Sequence, residues 1–531
     1  MSSHSIPYKN TGYFSKLICD YIAEDDSLKS FYNHFPNLEN FKHQFTEKQQ
    51  HYTDEKRHLL AKRIMFQYGD NSISQSTLSN IDLLKEHTTF TITTGHQLNL
   101  FTGPLYFLYK IFSTINLAEK LNKEYPTNHF VPVYWMATED HDFDEINYFN
   151  LFGRKVKWDR KASGAVGELS TEGLKELNEQ LKKEFGESEN AKKLISYFSD
   201  AYTKHDNLAD ATRFLANCLF YHHGLVIIDG NDKELKKFFI PYAEKELTEN
   251  LSFKKVSETT KKLTNLGFPE QVHPREINLF YLKENLRERI IEKDGMFYIN
   301  ETELSFSKEE ILKELHENPE RFSPNALLRP LYQEVILPNL CYIGGGGELA
   351  YWFQLKDYFN KVEVPFPILL LRNSALLVPK MLSKKLTKLN VEIETLFLPK
   401  HELITKQTYK VSKIEIDFSK QKEFLKQQFK DLYTLVEKTD ISFLGAVGAQ
   451  EKKQLNGLEN LEKRILKAQK RKHSEELGRL KNIQNQLFPN QTLQERQLNF
   501  SEFYLEYGED LLETLKENLD PLNLNFMVLE L

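Results

Sequence analysis

Short, almost uninterrupted apolar runs constrain the fold of this chain more than any other feature of its sequence. They occupy residues 130–137, 225–230, 340–343 and 368–371, and a run rich in β-branched residues at 88–93 is equally typical of a strand. Helical periodicity fills much of the sequence between them. Strands that are apolar on both faces are typical of a parallel sheet covered by helices. The pattern therefore predicts an α/β fold whose core is a Rossmann-like, mostly parallel sheet.

The spacing of these runs is irregular. The gaps after residue 137 and after residue 230 are far longer than a parallel crossover requires, so both are interpreted as insertions. The first gap is rich in lysine and glutamate over 171–218, and the second contains strand-like segments at 277–282 and 295–299. We expect a core formed by 1–155, 219–245 and 323–378, a helical insertion at 156–218, a small β-containing insertion at 246–322, a helical coiled-coil domain at 379–490, and a C-terminal segment at 491–531 that packs on the core.

The expected coiled-coil domain differs in composition from the rest of the chain. Lysine, glutamate, glutamine and leucine dominate it, and glycine is sparse. Apolar residues recur at heptad-like spacing, and this spacing resumes after a phase shift at the polar segment 469–473. The pattern predicts a helical hairpin or coiled coil that supports a homodimer. The residues that carry it are Leu458, Leu461, Ile465, Ala468, Leu477, Leu480 and Leu487.

Composition excludes several classes of function. The chain has 531 residues and a net charge of -6, so it lacks the excess of basic residues that is typical of a nucleic-acid-binding protein. Its three cysteines are far apart, which is typical of a reducing compartment rather than of a disulfide framework. No apolar run approaches the length of a membrane span, and the N-terminus lacks a signal-peptide pattern. We expect a cytoplasmic protein that acts on small molecules and binds neither membrane nor nucleic acid.

The first polar motif follows the first strand-like run, over 94–110. Gly95 and Gly103 permit close backbone approach, and a helix is expected after Pro104, with its amide groups directed at the crevice. Such an environment suits a phosphate or a carboxylate, although a tight turn without a ligand explains the glycines equally well. The motif matches neither the P-loop nor the GxGxxG pattern. Its candidate binding residues are Gly95, Gln97, Thr102, Gly103, Tyr106 and Lys110.

The second motif, residues 139–145, places six ionisable side chains in seven positions directly after the apolar run at 130–137. Glu139, Asp140 and Asp142 are close enough in sequence for one charge to raise the pKa of another, which is useful in a general base. His141 provides a base or a hydrogen-bond donor. A magnesium or manganese site and a solvated acidic loop are the alternatives. Because both motifs follow parallel strands, we expect them to face one crevice.

The third group of residues spans 325–348. Arg329 is a candidate clamp for a carboxylate or phosphate, and the four glycines 344–347 are expected to form a flexible anion-accepting loop between a strand and a helix. A flexible connector beside a surface arginine is the alternative. The further candidate binding residues here are Asn325, Gln333, Gly345, Gly346 and Glu348. Arg275 is balanced between a salt bridge and a ligand contact, and Cys341 is expected to be a core residue.

Five segments carry a resemblance to a known family. They are TGHQLNLFTGPLYFLYK (94–110), PVYWMATEDHDFDEIN (132–147), HPREINLFYL (273–282), SPNALLRPLYQEVILPNLCYIGGGGELAYW (323–352) and LQERQLNF (493–500). Their order resembles that of the BshC family, the cysteine ligases of bacillithiol biosynthesis. The resemblance implies a Rossmann-like core with two connecting-peptide insertions and a dimerising coiled coil. Members often carry glutamine at the position of His96, so no essential proton transfer is assigned to His96.

The resemblance implies that the chain joins cysteine to the glucosamine amine of glucosaminyl-malate. Amide formation needs an activated carboxyl group, so ATP is the expected co-substrate, and a divalent metal stays an option. In this hypothesis Asp140 and His141 deprotonate the amine, Glu139 tunes them, and Arg329 holds the malyl carboxylates or a phosphate. The alternatives are a Rossmann-type nucleotidyltransferase acting on a small metabolite and a non-catalytic dimer that binds a thiol metabolite or acts as a scaffold.

Overall fold

A computed structural model describes residues 3–69, 71–412, 414 and 416–531. The chain forms two compact units. The larger unit contains Met1–Leu376 and Gln494–Leu529, and the smaller contains Leu377–Leu493 and Glu530–Leu531. No helix among the described residues is both long enough and apolar enough to span a bilayer.

The strands are short. In chain order they are Ser3–Pro7 (β1), Thr89–His96 (β2), His129–Met136 (β3), Tyr148–Leu151 (β4), Arg154–Lys157 (β5), Val226–Asp229 (β6), Leu279–Lys283 (β7), Leu286–Lys293 (β8), Met296–Ile299 (β9), Ser305–Phe306 (β10), Phe322–Pro324 (β11), Asn339–Gly344 (β12), Ile368–Leu371 (β13), Ala375–Val378 (β14) and Asn525–Glu530 (β15).

The helices cover most of the remaining chain. In chain order they are Tyr8–Thr11 (α1), Lys16–Ile22 (α2), Leu38–His51 (α3), Asp54–Tyr68 (α4), Gln75–Leu83 (α5), Tyr106–Glu124 (α6), Phe143–Ile146 (α7), Leu174–Phe185 (α8), Glu189–Thr203 (α9), Leu208–Leu219 (α10), Lys233–Lys236 (α11), Ile240–Glu249 (α12), Leu251–Asn265 (α13), Lys308–Glu317 (α14), Arg329–Ile336 (α15), Gly346–Trp352 (α16), Lys356–Lys361 (α17), Lys380–Lys388 (α18), Lys400–Val411 (α19), Ser419–Glu437 (α20), Leu444–Lys472 (α21), Ser474–Leu487 (α22), Phe500–Tyr507 (α23) and Glu509–Asn518 (α24).

A five-stranded parallel sheet forms the centre of the larger unit. Its strand order is β13-β12-β2-β3-β6, and every neighbouring pair is parallel. Counted among themselves, the five strands have the order 5-4-1-2-3, which is the Rossmann arrangement, with its switch point between β2 and β12. The expectation of a Rossmann-like parallel core is confirmed.

Burial on both faces explains why most of these strands are apolar, and in β2 the side chains of Thr89, Thr91, Thr93 and Thr94 are buried as well. Phe90 and Ile92 of β2 and Ile343 of β12 belong to one buried cluster, and α6 packs on it through Leu117 and Leu121. The helix predicted after Pro104 is therefore present. One strand boundary was predicted wrongly: β2 does not break at Gly95 but continues to His96, because Gly95 pairs with Trp135 of β3.

Two sets of elements lie between the core strands. Helices α8, α9 and α10 lie before β6, in the segment where a helical insertion was expected. Between β6 and β12 the chain forms a second five-stranded sheet in the order β10-β9-β8-β7-β11, and every neighbouring pair is antiparallel. This antiparallel sheet is called the insertion sheet below.

The smaller unit is helical. Lys422 of α20 pairs with Glu462 of α21 at 2.6 Å, and Tyr433 donates a hydrogen bond to Glu451 at 3.0 Å. The partner number falls as the α20 number rises, so α20 and α21 run antiparallel as a helical hairpin. The predicted helical domain is present, but the hairpin turns between α20 and α21 and not at the polar segment 469–473, where α21 ends and α22 begins.

Candidate active site

A cavity of about 580 Å³ lies at the carboxyl ends of β2, β3 and β12. Residues from the first two polar motifs and from the third group line it, so the expectation that the first two motifs face one crevice is confirmed. The insertion sheet supplies a further part of the lining. The polar residues that line the cavity are His96, Gln97, Lys110, Thr138, Glu139, Asp140, His141, His273, Arg275, Asn278, Arg287, Arg289, Asn325, Arg329 and Glu348, together with Tyr106, Tyr342 and Tyr351.

Asp140 presents a partly accessible carboxylate to the cavity. Its side chain is 30 % exposed. One oxygen accepts a hydrogen bond from Gln97 Nε2 at 3.0 Å, and the other accepts the backbone N–H of His141 at 2.8 Å. Gln97 also donates to Glu145 at 2.9 Å, which fixes the orientation of its amide. Asp140 is thus held in place by neutral donors, and its nearest ring nitrogen, His141 Nδ1, lies 3.7 Å away. Among the described residues no lysine or arginine forms an ion pair with Asp140, which leaves its carboxylate available as a proton acceptor.

Glu139 differs from Asp140 because a lysine side chain neutralises its carboxylate. It forms an ion pair with Lys236, whose side chain is only 1 % exposed. The same ammonium group donates to the backbone carbonyls of Glu320 at 3.1 Å and Phe322 at 3.2 Å. Because a buried charge that loses its partner is costly, this pair is mainly structural. It joins the acidic segment after β3 to the segment that leads into β11.

His141 contacts an arginine of the insertion sheet. Arg287 Nη1 lies 2.5 Å from His141 Nδ1. A guanidinium only donates hydrogen bonds, so this contact requires a neutral imidazole with its proton on Nε2. The Arg287 guanidinium also lies over the Phe280 ring, 4.0 Å from its centroid. In this state His141 offers the cavity a donor, and Asp140 is the stronger candidate for the base.

The buried Lys110 forms an ion pair with the half-buried Glu348 near Gly95. Lys110 Nζ lies 2.5 Å from Glu348 and donates to the Gly95 carbonyl at 2.7 Å, while Tyr342 donates to Glu348 at 2.7 Å. Burial opposes the charge of Glu348, yet Lys110 and the Tyr342 hydroxyl hold the pKa of its carboxyl below the ordinary value. The Lys110 ammonium group, a candidate ligand contact, is therefore already engaged within the protein.

Arg329 begins α15 and projects among aromatic side chains. It donates to Gln333 at 3.0 Å and to the Tyr351 hydroxyl at 3.3 Å, and it lies over the Tyr342 ring. Among the described residues no carboxylate forms an ion pair with it. Gln333 itself is fully buried outside the cavity lining, and it donates to Glu334 at 2.9 Å. Gln333 therefore orients Arg329 and does not line the cavity itself.

Gly95 leaves the space in which the Tyr342 hydroxyl and the Arg329 guanidinium approach the end of β2. A β-carbon at this position would lie 3.3 Å from the Tyr342 hydroxyl and 3.7 Å from Arg329 Nη1. Asn325 also lines the cavity, but its side chain is bound within the protein. It donates to Asn278 at 2.9 Å and accepts the backbone N–H of Leu327 at 2.9 Å.

Five predicted binding residues lie outside the cavity lining: Gln333, described above, and Thr102, Gly103, Gly345 and Gly346. Thr102 and Gly103 belong to a tight turn with positive φ, of 68° and 65°, and the Gly103 carbonyl accepts a hydrogen bond from Asn499 at 2.6 Å. Gly345 precedes α16, which begins at Gly346. The expected flexible glycine loop is wrong: Gly344 ends β12 and the next glycines start a helix, because Glu348 accepts the Gly345 N–H at 3.3 Å and closes the first turn.

Burial suppresses the reactivity of two groups near the site. His96 is buried, and this burial lowers the pKa of its imidazole well below the usual range. Burial also raises the pKa of the Cys341 thiol well above its ordinary value. Cys341 is thus a core residue, as expected. In the described part of the chain, no group of three or more histidine, cysteine, aspartate or glutamate side chains is arranged to hold a metal ion.

Sequence reasoning missed Arg287, Arg289, Lys236 and Tyr351. The two arginines had a weak signal, because their spacing of two places them on one face of a strand. That spacing did not show which cavity the face would line. The charge run Lys233–Lys236 resembled any solvated helix turn, and Lys236 became significant only through its burial against Glu139.

Two family models together match nearly the whole chain. The model described as "Bacillithiol biosynthesis BshC, N-terminal Rossmann-like domain" matches residues 1–373, and the one described as "Bacillithiol biosynthesis BshC, C-terminal coiled-coil domain" matches residues 375–531. Similar full-length proteins carry the curated name "Putative cysteine ligase BshC". One from Christiangramia forsetii is 57% identical, covering 100% of this chain and 99% of the relative. One from Bacillus cereus is 29% identical, covering 94% and 95%.

Proposed function

The chain belongs to the BshC family of bacillithiol biosynthesis, and from that premise we propose that it is a ligase that joins L-cysteine to the glucosamine amine of glucosaminyl-malate. The observation that carries the proposal is the cavity at the switch point of the parallel sheet. It combines an accessible carboxylate, Asp140, with several arginines. An amine nucleophile needs a proton acceptor, and an anionic substrate needs cationic contacts. This cavity provides both.

The reaction forms one C–N bond between the cysteine carbonyl carbon and the sugar amine. ATP supplies the phosphoryl or adenylyl group that turns the cysteine carboxylate into an electrophile. As the amine attacks, the bond between the carbonyl carbon and the activated oxygen breaks, and phosphate or AMP leaves with that oxygen. The amine loses its proton, so an acceptor must lie near the nitrogen.

Asp140 is that acceptor in the proposal. Its carboxylate is oriented by Gln97 and faces the cavity. His141, held by Arg287, directs its Nε2–H as a donor toward negative charge that develops on the carbonyl oxygen. Glu139 supports both by anchoring the segment to Lys236. The assignment narrows the initial hypothesis, in which Asp140 and His141 shared the role of base.

Arg329 is the residue that would hold a phosphate group of ATP. Its guanidinium reaches the cavity and is oriented by Gln333 and Tyr351, with no described carboxylate in an ion pair with it. Gly345 and Gly346 do not line the cavity, which gives no support to the nucleotide contact expected there. Arginine suits phosphate because its planar fork donates two parallel hydrogen bonds.

Mass analysis of products tests the proposal. The full-length protein is incubated with ATP, L-cysteine and glucosaminyl-malate, and controls omit each substrate in turn. We expect a product with the mass of the cysteinyl amide only when all three are present. Pyrophosphate or AMP formation without amide would favour a nucleotidyltransferase, and binding without turnover would favour a non-catalytic protein; either result overturns the proposal.

We further propose that the protein is a cytoplasmic homodimer whose interface lies on the helical hairpin of the smaller unit. Large apolar side chains are exposed there, among them Phe424 and Leu435 on α20 and Phe443 just before α21. Exposed apolar side chains of this kind support an interface. The molar mass in solution tests the proposal, and a monomer at micromolar concentration contradicts it.

A further inference from the structure

The insertion sheet contributes a cationic side to the cavity. Arg287 and Arg289 lie on one face of β8, opposite Leu282 and Phe280 of β7 in the antiparallel register. Both line the cavity, whereas Glu288 between them does not. Arg275, just before β7, lines the cavity as well. Three arginines from one segment of the chain therefore line the cavity.

These three guanidinium groups lack carboxylate partners among the described residues. Several arginines elsewhere in the larger unit are engaged within the protein: Arg63 pairs with Asp232 at 2.8 Å, Arg372 pairs with Glu495 at 2.7 Å, and Arg57 donates to the Thr89 carbonyl at 2.8 Å. Among the described residues, Arg287 contacts the His141 imidazole, the Phe280 ring and the Ser323 hydroxyl, to which it donates at 3.3 Å. The charges of Glu139 and Asp140 act on Arg287, but neither carboxylate forms an ion pair with it. The difference indicates that these positive charges are kept for something other than a structural ion pair.

The charge of the whole cavity supports this reading. Its lining contains five cationic side chains, Arg275, Arg287, Arg289, Arg329 and Lys110, against three carboxylates, Glu139, Asp140 and Glu348. Glu139 and Glu348 are already paired with lysines. A positive cavity in a chain of net charge -6 concentrates anions and repels cations.

The spacing of the arginines points to a ligand with two carboxylates. Residues two apart on a strand are separated by about 7 Å along it. Two carboxylates on a two-carbon chain can each meet one of two guanidinium groups at that spacing, with the ligand between them. Each contact can be bidentate, since the arginine fork matches a carboxylate. A single compact anion would engage only one fork fully.

We infer that Arg287 and Arg289, with Arg275 at their edge, form a dicarboxylate subsite that binds the malyl group of the amine substrate. The inference rests on the proposed function for the identity of that substrate. It separates the cavity into two parts: the arginines from the insertion sheet hold the malyl group, and Arg329 is left for the activating co-substrate. The sugar amine would then extend from the subsite toward Asp140.

Calorimetric titration of glucosaminyl-malate into the full-length protein, without ATP or cysteine, tests the subsite directly. We expect Arg289→Gln to weaken binding by roughly 10- to 100-fold, the range for losing one charge-assisted contact. Arg289→Lys keeps the charge but not the fork and should bind with intermediate affinity. Lys293→Gln is the matched control, because Lys293 is exposed on the same strand and outside the cavity. It should bind like the wild type.

A second titration uses methyl glucosaminide, which lacks both carboxylates. The wild type and Arg289→Gln should bind this probe equally weakly. Unchanged affinity of a folded Arg289→Gln variant for glucosaminyl-malate overturns the subsite, as does a loss of ATP affinity in place of substrate affinity. If Arg289→Gln does not fold, the affinity of Arg289→Lys for glucosaminyl-malate is the test. An affinity of Arg289→Lys equal to that of the wild type then overturns the subsite.

The titrations also separate this inference from the proposed function. If the wild type binds glucosaminyl-malate through Arg289 but forms no amide with cysteine and ATP, the ligase proposal fails and the subsite stands. If amide forms and Arg289→Gln leaves the KM for glucosaminyl-malate unchanged, the subsite fails and the ligase proposal stands.

Discussion

The two sides of the cavity differ in whether their charged side chains form ion pairs within the protein. On the strand-end side, at the carboxyl ends of β2, β3 and β12, buried charges are mostly paired, as in Lys110 with Glu348. On the insertion side, Arg287 and Arg289 of β8 have no described carboxylate partner. Asp140 and Arg329 are exceptions on the strand-end side: neutral donors hold Asp140, and no described carboxylate forms an ion pair with Arg329.

The difference suggests a division of roles. Paired charges fix geometry, because separating them inside the protein is costly. Unpaired cations facing a cavity bind, because a ligand can supply the missing charge. We therefore expect substitutions on the strand-end side to change turnover or stability, and substitutions on the insertion side to change substrate affinity.

Asp140→Asn should have the largest effect. The substitution keeps an oxygen that can accept from Gln97 but removes the basic carboxylate, so kcat should fall by about 10²- to 10⁴-fold, the usual contribution of a general base. The KM for glucosaminyl-malate should change little. Steady-state kinetics of the amide-forming reaction measure both.

Asp142→Asn is the matched control, since Asp142 is exposed in the same acidic segment and does not line the cavity. Its activity should equal that of the wild type. Equal losses in the two variants would mean that the segment matters only through its overall charge, and the assignment of Asp140 would be wrong.

Glu348→Gln should reduce stability. It leaves the Lys110 ammonium group buried without its carboxylate, at a cost on the order of 3 kcal/mol in the free energy of unfolding. Because the folded-state pKa of Glu348 is below its ordinary value of 4.5, the pair stabilises the protein above that pH and stops doing so as pH falls through the folded pKa. Denaturant unfolding at several pH values measures the difference.

The gap between Glu348→Gln and the wild type should thus be largest near neutral pH and shrink in acid. Glu317→Gln serves as the control, because the Glu317 side chain forms an exposed pair with Lys313 at 3.8 Å. Its cost should stay below about 1 kcal/mol. A pH-independent gap for Glu348→Gln would argue that the loss comes from packing and not from the ion pair.

Gly95→Ala should have the smallest effect of the three. The added methyl group would lie 3.3 Å from the Tyr342 hydroxyl, so Tyr342 must shift by a few tenths of an ångström. Such a shift is smaller than the 1 Å displacement that can cost about a hundredfold, and we expect kcat/KM to fall by about tenfold or less.

Gly347→Ala is the control for this substitution, since a β-carbon there would meet no described atom within 4 Å. It should leave kcat/KM unchanged. If both variants retain full activity, the space beside Gly95 is not used by the reacting groups.

Much of the fold could be predicted from the chain. The strand-like runs identified all five core strands because a parallel sheet is buried on both faces, and this burial leaves a clear pattern. The acidic segment was expected at the crevice for a topological reason: it follows β3 directly. The glycine segment 344–347 was expected there by the same reasoning, yet Gly345 and Gly346 turn away from the cavity lining into α16.

The sequence by itself determined the strand pattern of the core, the family and the position of Asp140, because each depends on local pattern or on the end of a strand. Only the tertiary structure decided which charges are paired and which face the cavity. Lys236 meets Glu139 across 97 positions of the chain, and Arg287 meets His141 across 146. Such contacts depend on how the inserted segments pack against the core. This packing joins residues that are distant in the sequence, and no periodic pattern in the sequence predicts it.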